Sequence, residues 1–211
     1  MSALILDYFK KQKKNKLIKV IESGDLTSLS KRLKALDPAV LEASDNIHLS
    51  AIEVAIRAGQ AKAMELIISA GADIKKLASS HEPYLLLALQ QKQSLALISV
   101  LLQSGTNSEQ IINETDTHVV TACFRHCSPA ELILHLGRFL QYGMDLNQPD
   151  SHGLTALDHA LKTENKELLN FLITSGAQPP EVWPESLPDN LRSHLQRCVD
   201  DIRIRQMFLE Q

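Results

Sequence analysis

Chemistry needs convergent nucleophiles, acids or metal ligands, and one stretch of this chain concentrates such residues. The string TACFRHCSP holds Cys123, His126 and Cys127, with His118 just upstream. Cys123 and Cys127 are four apart, so a helix would place both on one face. Zinc takes Cys and His ligands, but a closed structural site needs four. A free cysteine also packs as a small hydrophobe. Three readings follow: ordinary thiols, a metal site and a catalytic thiol. The first is preferred, because the helix is expected to turn near Ser128-Pro129 and four ligands are not evident. No metal and no cofactor are expected.

Two further features invite chemistry. Asp158-His159 is an acid–base pair by type, yet helix neighbours point in different directions and no nucleophile is evident. The run KKQKKNK holds Lys10, Lys11, Lys13, Lys14 and Lys16. It could bind phosphate backbones or an acidic partner; the plainer reading is the solvated face of a terminal cap. The chain has no G-x-S-x-G, P-loop or dinucleotide glycine pattern. No catalytic residue is assigned, and no enzyme is expected.

The elements that would position these residues follow from composition. The chain has 211 residues, 44% hydrophobic, 22% charged and only 4% aromatic, with 34 leucines. That is enough apolar material for a core, which excludes wholesale disorder. Leucine favours helix, so the core is expected to be aliphatic and helical. Residues 1–34 carry nine Lys/Arg against three Asp/Glu, and the rest carries 13 against 22. No run of 18 uncharged apolar residues exists, so no membrane span is expected. Three cysteines make no disulfide framework. The first charges follow the first apolar residues, the reverse of a signal peptide. The expected location is cytoplasmic.

Internal repeats set the architecture. DNIHLSAIEVAIRAGQAKAMELIISAGAD from Asp45 lies without a gap over DSHGLTALDHALKTENKELLNFLITSGAQ from Asp150, at an offset of 105 residues. That is three periods of 35. Two units fit between them, and a weaker unit precedes them. Each holds a short and a longer apolar stretch at helical spacing. Gly71, Gly105, Gly143 and Gly176 close the longer stretch, where glycine accepts the left-handed conformation. Such periods mean a solenoid of stacked units.

These repeats resemble ankyrin repeats, and the chain resembles the small, five-repeat, bacterial members of that family. Asp150, Gly153, Thr155, Leu157, Ala160 and FLITSGA carry the resemblance best. Asp45, Ser50, Ile52, Ala55, Gly59 and LIISAGAD follow. Glu53 and Asp158 stand where the family has histidine, which implies softer repeats. The resemblance implies an all-α ankyrin-repeat solenoid of helix–turn–helix units. Residues 1–14 form an N-terminal capping helix. The array spans 15–181, with units near 15–44, 45–77, 78–112, 113–149 and 150–181. A C-terminal capping segment spans 182–211, with Leu191, Leu195, Val199 and Ile202 at helical spacing.

The family binds proteins on its concave face, through loop tips and first helices. Carried over by register, that face comprises Asn46, Ile47, Leu49 and Arg57; then Ser80, Glu82, Gln90 and Gln91; then Glu114, Asp116, Phe124 and Arg125; and Ser151, His152, Leu154 and Lys162. Phe124 and Arg125 are the natural anchors, because aromatic and arginine side chains dominate interface energies. The competing reading packs Phe124 beneath the inserted segment of its unit. The expected function is a non-enzymatic adaptor, inhibitor or neutraliser of one partner protein, monomeric when free. The alternative is a binder of nucleic acid or an acidic surface through the basic N-terminal segment. Few exposed aromatics accompany those lysines, so nucleic acid is disfavoured.

Overall fold

The computed structural model describes residues 3–36, 49–106 and 118–209, with side chains described at 12–36, 49–106 and 118–208. These residues form eleven α-helices and no strand; one isolated antiparallel bridge joins Leu77 to Pro83. The chain divides into two compact units, Met1–Asp116 and Thr117–Gln211.

In the first unit the helices are α1 (Ala3–Ser23), α2 (Leu26–Leu33), α3 (Ala51–Arg57), α4 (Ala61–Ser69), α5 (Tyr84–Leu89) and α6 (Ser94–Gln103). They pack as pairs: α1 on α2, α3 on α4, α5 on α6. Neighbouring pairs also touch in two layers, α1–α3–α5 and α2–α4–α6. In the layer of first helices, Ala51–Ile56 of α3 and Tyr84–Leu89 of α5 are buried throughout, whereas α4 in the other layer keeps Lys62, Glu65 and Ser69 exposed. A period-3.6 amphipathic stripe would leave half of each helix wet; here those residues of α3 and α5 are buried on every face, with Glu53 the one charged group among them. The Ser50 side chain caps α3 by accepting from the Glu53 N–H, and Asp25 caps α2 by accepting from Ser28. One unbroken helix, α1, carries both the expected N-terminal cap and the start of the first repeat.

The lysine run is divided by this packing. Lys14 is buried, and its ammonium donates to the Leu49 carbonyl at 2.7 Å. It anchors α1 to the segment that opens α3, so the fully solvated face expected for the run is corrected at this position. Lys13 and Lys16 are exposed.

The second unit contains α7 (Val119–His126), α8 (Pro129–Gln141), α9 (Ala156–Leu161), α10 (Lys166–Thr174) and α11 (Asp189–Leu209). Here α7 pairs with α8 and α9 with α10, while α7 touches α9 and α8 touches α10. Ser128 and Glu131 form a capping box on α8, with Pro129 at its first turn; Thr155 and Asp158 form another on α9. Gly176 ends α10 with φ of 101°, and Gly71 ends α4 with φ of 96°, the backbone region where a side chain is strained. The proline-broken segment then folds back onto α11. Trp183 donates its indole N–H to Gln196 Oε1 at 3.2 Å, and Arg192 donates to the carbonyls of Pro184, Glu185 and Leu187. Leu191 and Leu195 are buried and Val199 and Ile202 half-buried, as the spacing implied. Past them Ile204, Met207 and Phe208 are exposed among Arg203, Arg205 and Gln206.

Candidate partner-binding surface

The loops that open the first helices are held by carboxylates. Glu53 is buried, yet four donors surround it. Ser79 gives its backbone N–H to Oε2 at 2.8 Å and its hydroxyl to Oε1 at 2.6 Å. Arg57, one turn along α3, gives Nε–H and an Nη2–H to Oε1 at 3.0 and 2.8 Å. A buried carboxylate is costly unless hydrogen-bonded, and this one is. It joins the end of one repeat's first helix to the loop leading into the next.

Asp150 plays the corresponding part in the second unit. Its Oδ1 accepts the N–H groups of His152 and Leu154 at 2.8 and 3.0 Å. Its Oδ2 accepts the Thr121 hydroxyl at 3.1 Å and pairs with His159 Nε2 at 2.7 Å. Burial pulls this carboxyl upward, but the Leu154 N–H, the His159 ring, the His152 N–H and the Thr121 hydroxyl outweigh it and hold it well below the usual carboxylate range. Asp158 is spent on the Thr155 cap, accepting that residue's N–H and hydroxyl at 2.8 Å each. The Asp158-His159 dipeptide is thus structural: one side chain caps α9 and the other is tied to Asp150.

Around these stitches the expected binding residues divide. Asn46, Ile47, Glu114 and Asp116 lie outside the described residues. Arg57, Gln90, Arg125 and Lys162 are exposed, each in the last turn or at the C-cap of a first helix. That register is repeated in four pairs. Leu49 and Leu154 are half-buried. Glu82 is half-buried and accepts the Ser80 hydroxyl at 3.1 Å, and Gln91 folds back to donate to the Leu87 carbonyl at 2.9 Å. Ser151 and His152 are exposed and hydrogen-bonded to each other at 3.1 Å. Phe124 is not an open anchor. It is half-buried, and its ring lies 5.4 Å from the His159 ring at a tilt of 31°. It packs on the neighbouring repeat, a partner that neither expectation named.

A separate cluster forms where α7 meets α8. Cys123 is wholly buried and Cys127 half-buried, and the Cys127 N–H closes the last turn of α7 onto the Cys123 carbonyl at 2.9 Å. Cys127 immediately precedes the Ser128 cap of α8. The Cys123 thiol and the His135 ring are the neighbours that favour charge on the Cys127 sulfur. His135 Nδ1–H donates to the Glu131 carbonyl at 2.8 Å, since a carbonyl can only accept. Cys127 is lowered to about 6 by the Cys123 hydrogen bond, against its partial burial, with His135 helping and Glu131 opposing. The same hydrogen bond and burial push Cys123 up. Burial lowers His135, and its bonds to Cys127 and Glu131 override that and raise it. His135, eight residues past Cys127, was not among the sequence candidates; the break at Ser128-Pro129 brings it close. Among the described residues, no three His, Cys, Asp or Glu side chains converge as metal ligands, and no helix is long and apolar enough to cross a membrane.

A basic groove of about 240 Å³ lies between α1 and the end of α2, lined by Lys13, Lys16 and Arg32 over Leu17, Ala35 and Leu36.

No family model matches the chain. An L-asparaginase of Dirofilaria immitis is 28% identical over 137 residues, 63% of this chain and 22% of that protein. The ADP-ribosylation factor GTPase-activating protein AGD4 of Arabidopsis thaliana is 34% identical over 64 residues, 28% of this chain and 8% of that protein. The chain therefore spans less than a quarter of the length of these relatives.

Proposed function

We propose that the chain is a non-enzymatic protein-binding module of ankyrin-repeat type, which holds one partner protein through the exposed ends of its first helices. The observation that carries this reading is the repeated register of Arg57, Gln90, Arg125 and Lys162. Each stands exposed at the end of a first helix whose remaining residues are mostly buried. A scaffold that spends its apolar residues on neighbouring repeats leaves these ends and the adjoining loops for recognition. The comparisons support the same reading. Proteins with two unrelated names each match part of this chain over a minor part of their own length, which suits a module better than the carrier of either activity.

The test uses the full chain as bait. A captured partner is identified by mass spectrometry, and its affinity is measured for Arg125→Glu with Lys162→Glu and for Lys13→Glu with Lys16→Glu. The first pair is expected to weaken binding about tenfold or more, a loss of about 1.4 kcal/mol. The second pair is expected to leave it within about twofold at physiological salt. The reverse outcome transfers the function to the groove between α1 and α2. That second reading, an acidic surface held by Lys13, Lys16 and Arg32, rests on the groove's uniformly basic rim. It predicts a steep loss of affinity with salt.

A further inference from the structure

We propose that the basic groove between α1 and the end of α2 is a second recognition site, which takes an acidic peptide segment carrying one large apolar side chain. The proposal rests on the reading of this groove as a holder of acidic surface and names what fills it; it does not depend on the first-helix ends. Lys13 and Lys16 stand three residues apart on α1, so they share one face of that helix. Arg32, in the last turn of α2, lines the other wall. All three are exposed. Among the described residues no acidic group pairs with them, and no Asp or Glu lines the groove. The excess of positive charge is regional as well as local, since residues 1–34 carry nine Lys/Arg against three Asp/Glu. One feature opposes an anion: the end of α2 is a helix C-terminus. Three of its carbonyls are already spent, because Ser30, Arg32 and Leu33 accept the N–H groups of Lys34, Ala35 and Leu36.

The lining decides the occupant. Leu17, Ala35 and Leu36 give the groove an apolar floor. Its volume of about 240 Å³ falls short of the roughly 300–1,000 Å³ that a drug-sized ligand or cofactor occupies. That space suits one side chain of leucine or phenylalanine size, whose burial is worth about tenfold or more in affinity. A nucleic-acid backbone would pair with the cations and leave the floor unused, and no aromatic side chain lines the groove for a base to stack on. A membrane surface is met by apolar side chains that protrude, and here they are recessed between two helices. An acidic peptide satisfies both parts at once. Its apolar side chain enters the floor. Its carboxylates meet Lys13 and Lys16 on one wall and, on the other, Arg32, whose guanidinium forks onto a carboxylate.

Fluorescence anisotropy of a labelled peptide against the full chain tests this. The probe is a short peptide of aspartate and glutamate with one central leucine; a second peptide differs only by alanine in place of that leucine. At about 0.1 M salt, where exposed charges more than about 10 Å apart are screened, the leucine peptide is expected to bind about tenfold or more tightly than the alanine peptide. Lys13→Glu with Arg32→Glu is expected to weaken the leucine peptide about tenfold or more. Lys62→Glu with Lys92→Glu makes the same change in net charge at exposed lysines of the same unit that do not line the groove, and is expected to leave binding within about twofold. Circular dichroism checks the fold of both. Ala35→Glu, at an exposed position of the floor, is expected to weaken binding about tenfold independently of the rim. Equal affinity for the two peptides overturns the inference and leaves the groove a simple anion site. No measurable binding of the leucine peptide, or equal effects of the two double variants, overturns both it and the acidic-surface reading of the groove. Stronger competition by a single-stranded oligonucleotide or by phosphatidylserine vesicles, at equal charge, assigns the groove to nucleic acid or to a membrane and also overturns the inference.

Discussion

Replacing Glu53 by alanine removes the acceptor that four donors share, and the cost can be worked from the structure. The two bonds from Ser79, at 2.8 and 2.6 Å, are charge-assisted, and such bonds contribute about 1.5–3 kcal/mol each when both partners are shielded. Ser79 is exposed, so its released donors reach water and the loss is smaller. Arg57 is 44% exposed at its side chain; its ion pair is therefore discounted to about 0.5 kcal/mol. The sum is a loss of about 2–3 kcal/mol for Glu53→Ala. Glu53→Gln keeps a carbonyl for one Ser79 donor and is expected to cost about half as much. Denaturant unfolding followed by circular dichroism measures both; thermal unfolding should show Glu53→Ala lower by roughly 5–10 °C. A midpoint for Glu53→Ala within about 0.5 kcal/mol of wild type would refute the claim that this carboxylate joins successive repeats.

Three other outcomes are expected. Gly176→Val should cost about 1 kcal/mol or more through backbone strain alone, since nothing lies within 4 Å of a Cβ placed there; Gly176→Asn should cost less, and equal denaturation midpoints for all three would contradict the left-handed ending of α10. Asp150 is depressed in the folded chain, so its contribution is present above the unfolded carboxyl value of about 4 and is lost as pH falls through the lower folded value. Wild type should therefore lose more stability than Asp150→Asn between about pH 5 and pH 2, and parallel pH profiles would remove Asp150 from the account. Phe124→Ala should lower stability by about 1–2 kcal/mol through lost packing on His159, and a thermal midpoint unchanged by this substitution would return Phe124 to the role of an open anchor.

The helix pairs and their stops were legible because they are local. An apolar run such as AIEVAIRAG, a capping Ser50 or Thr155 and a closing glycine each act within a few residues, and the 105-residue offset aligned them twice. What escaped the sequence acts over distance. Glu53 and Asp158 implied softer repeats because the family's histidine is missing. Instead Glu53 bonds Ser79, 26 residues away, and Asp158 completes a local cap. Thr121 reaches Asp150 across 29 residues. Lys14 sits in a run of lysines, and only the position of Leu49 shows that this one turns inward. Phe124 was expected at binding-face register as an anchor, but its exposure depended on His159, a contact between helix pairs that no spacing encodes. Cys127 and His135 lie on opposite sides of a helix break, where helical spacing says nothing about distance.

The partner-binding claim is tested most directly by amide hydrogen exchange on the chain with and without its captured partner. Recognition by the first-helix ends predicts slower exchange on binding in the segments that open and end those helices, residues 49–57, 79–91, 118–126 and 150–162. The second helices α4 and α10 should exchange as before. Protection confined to residues 12–36, or spread over α4 and α10 with none at Arg125 and Lys162, would contradict it.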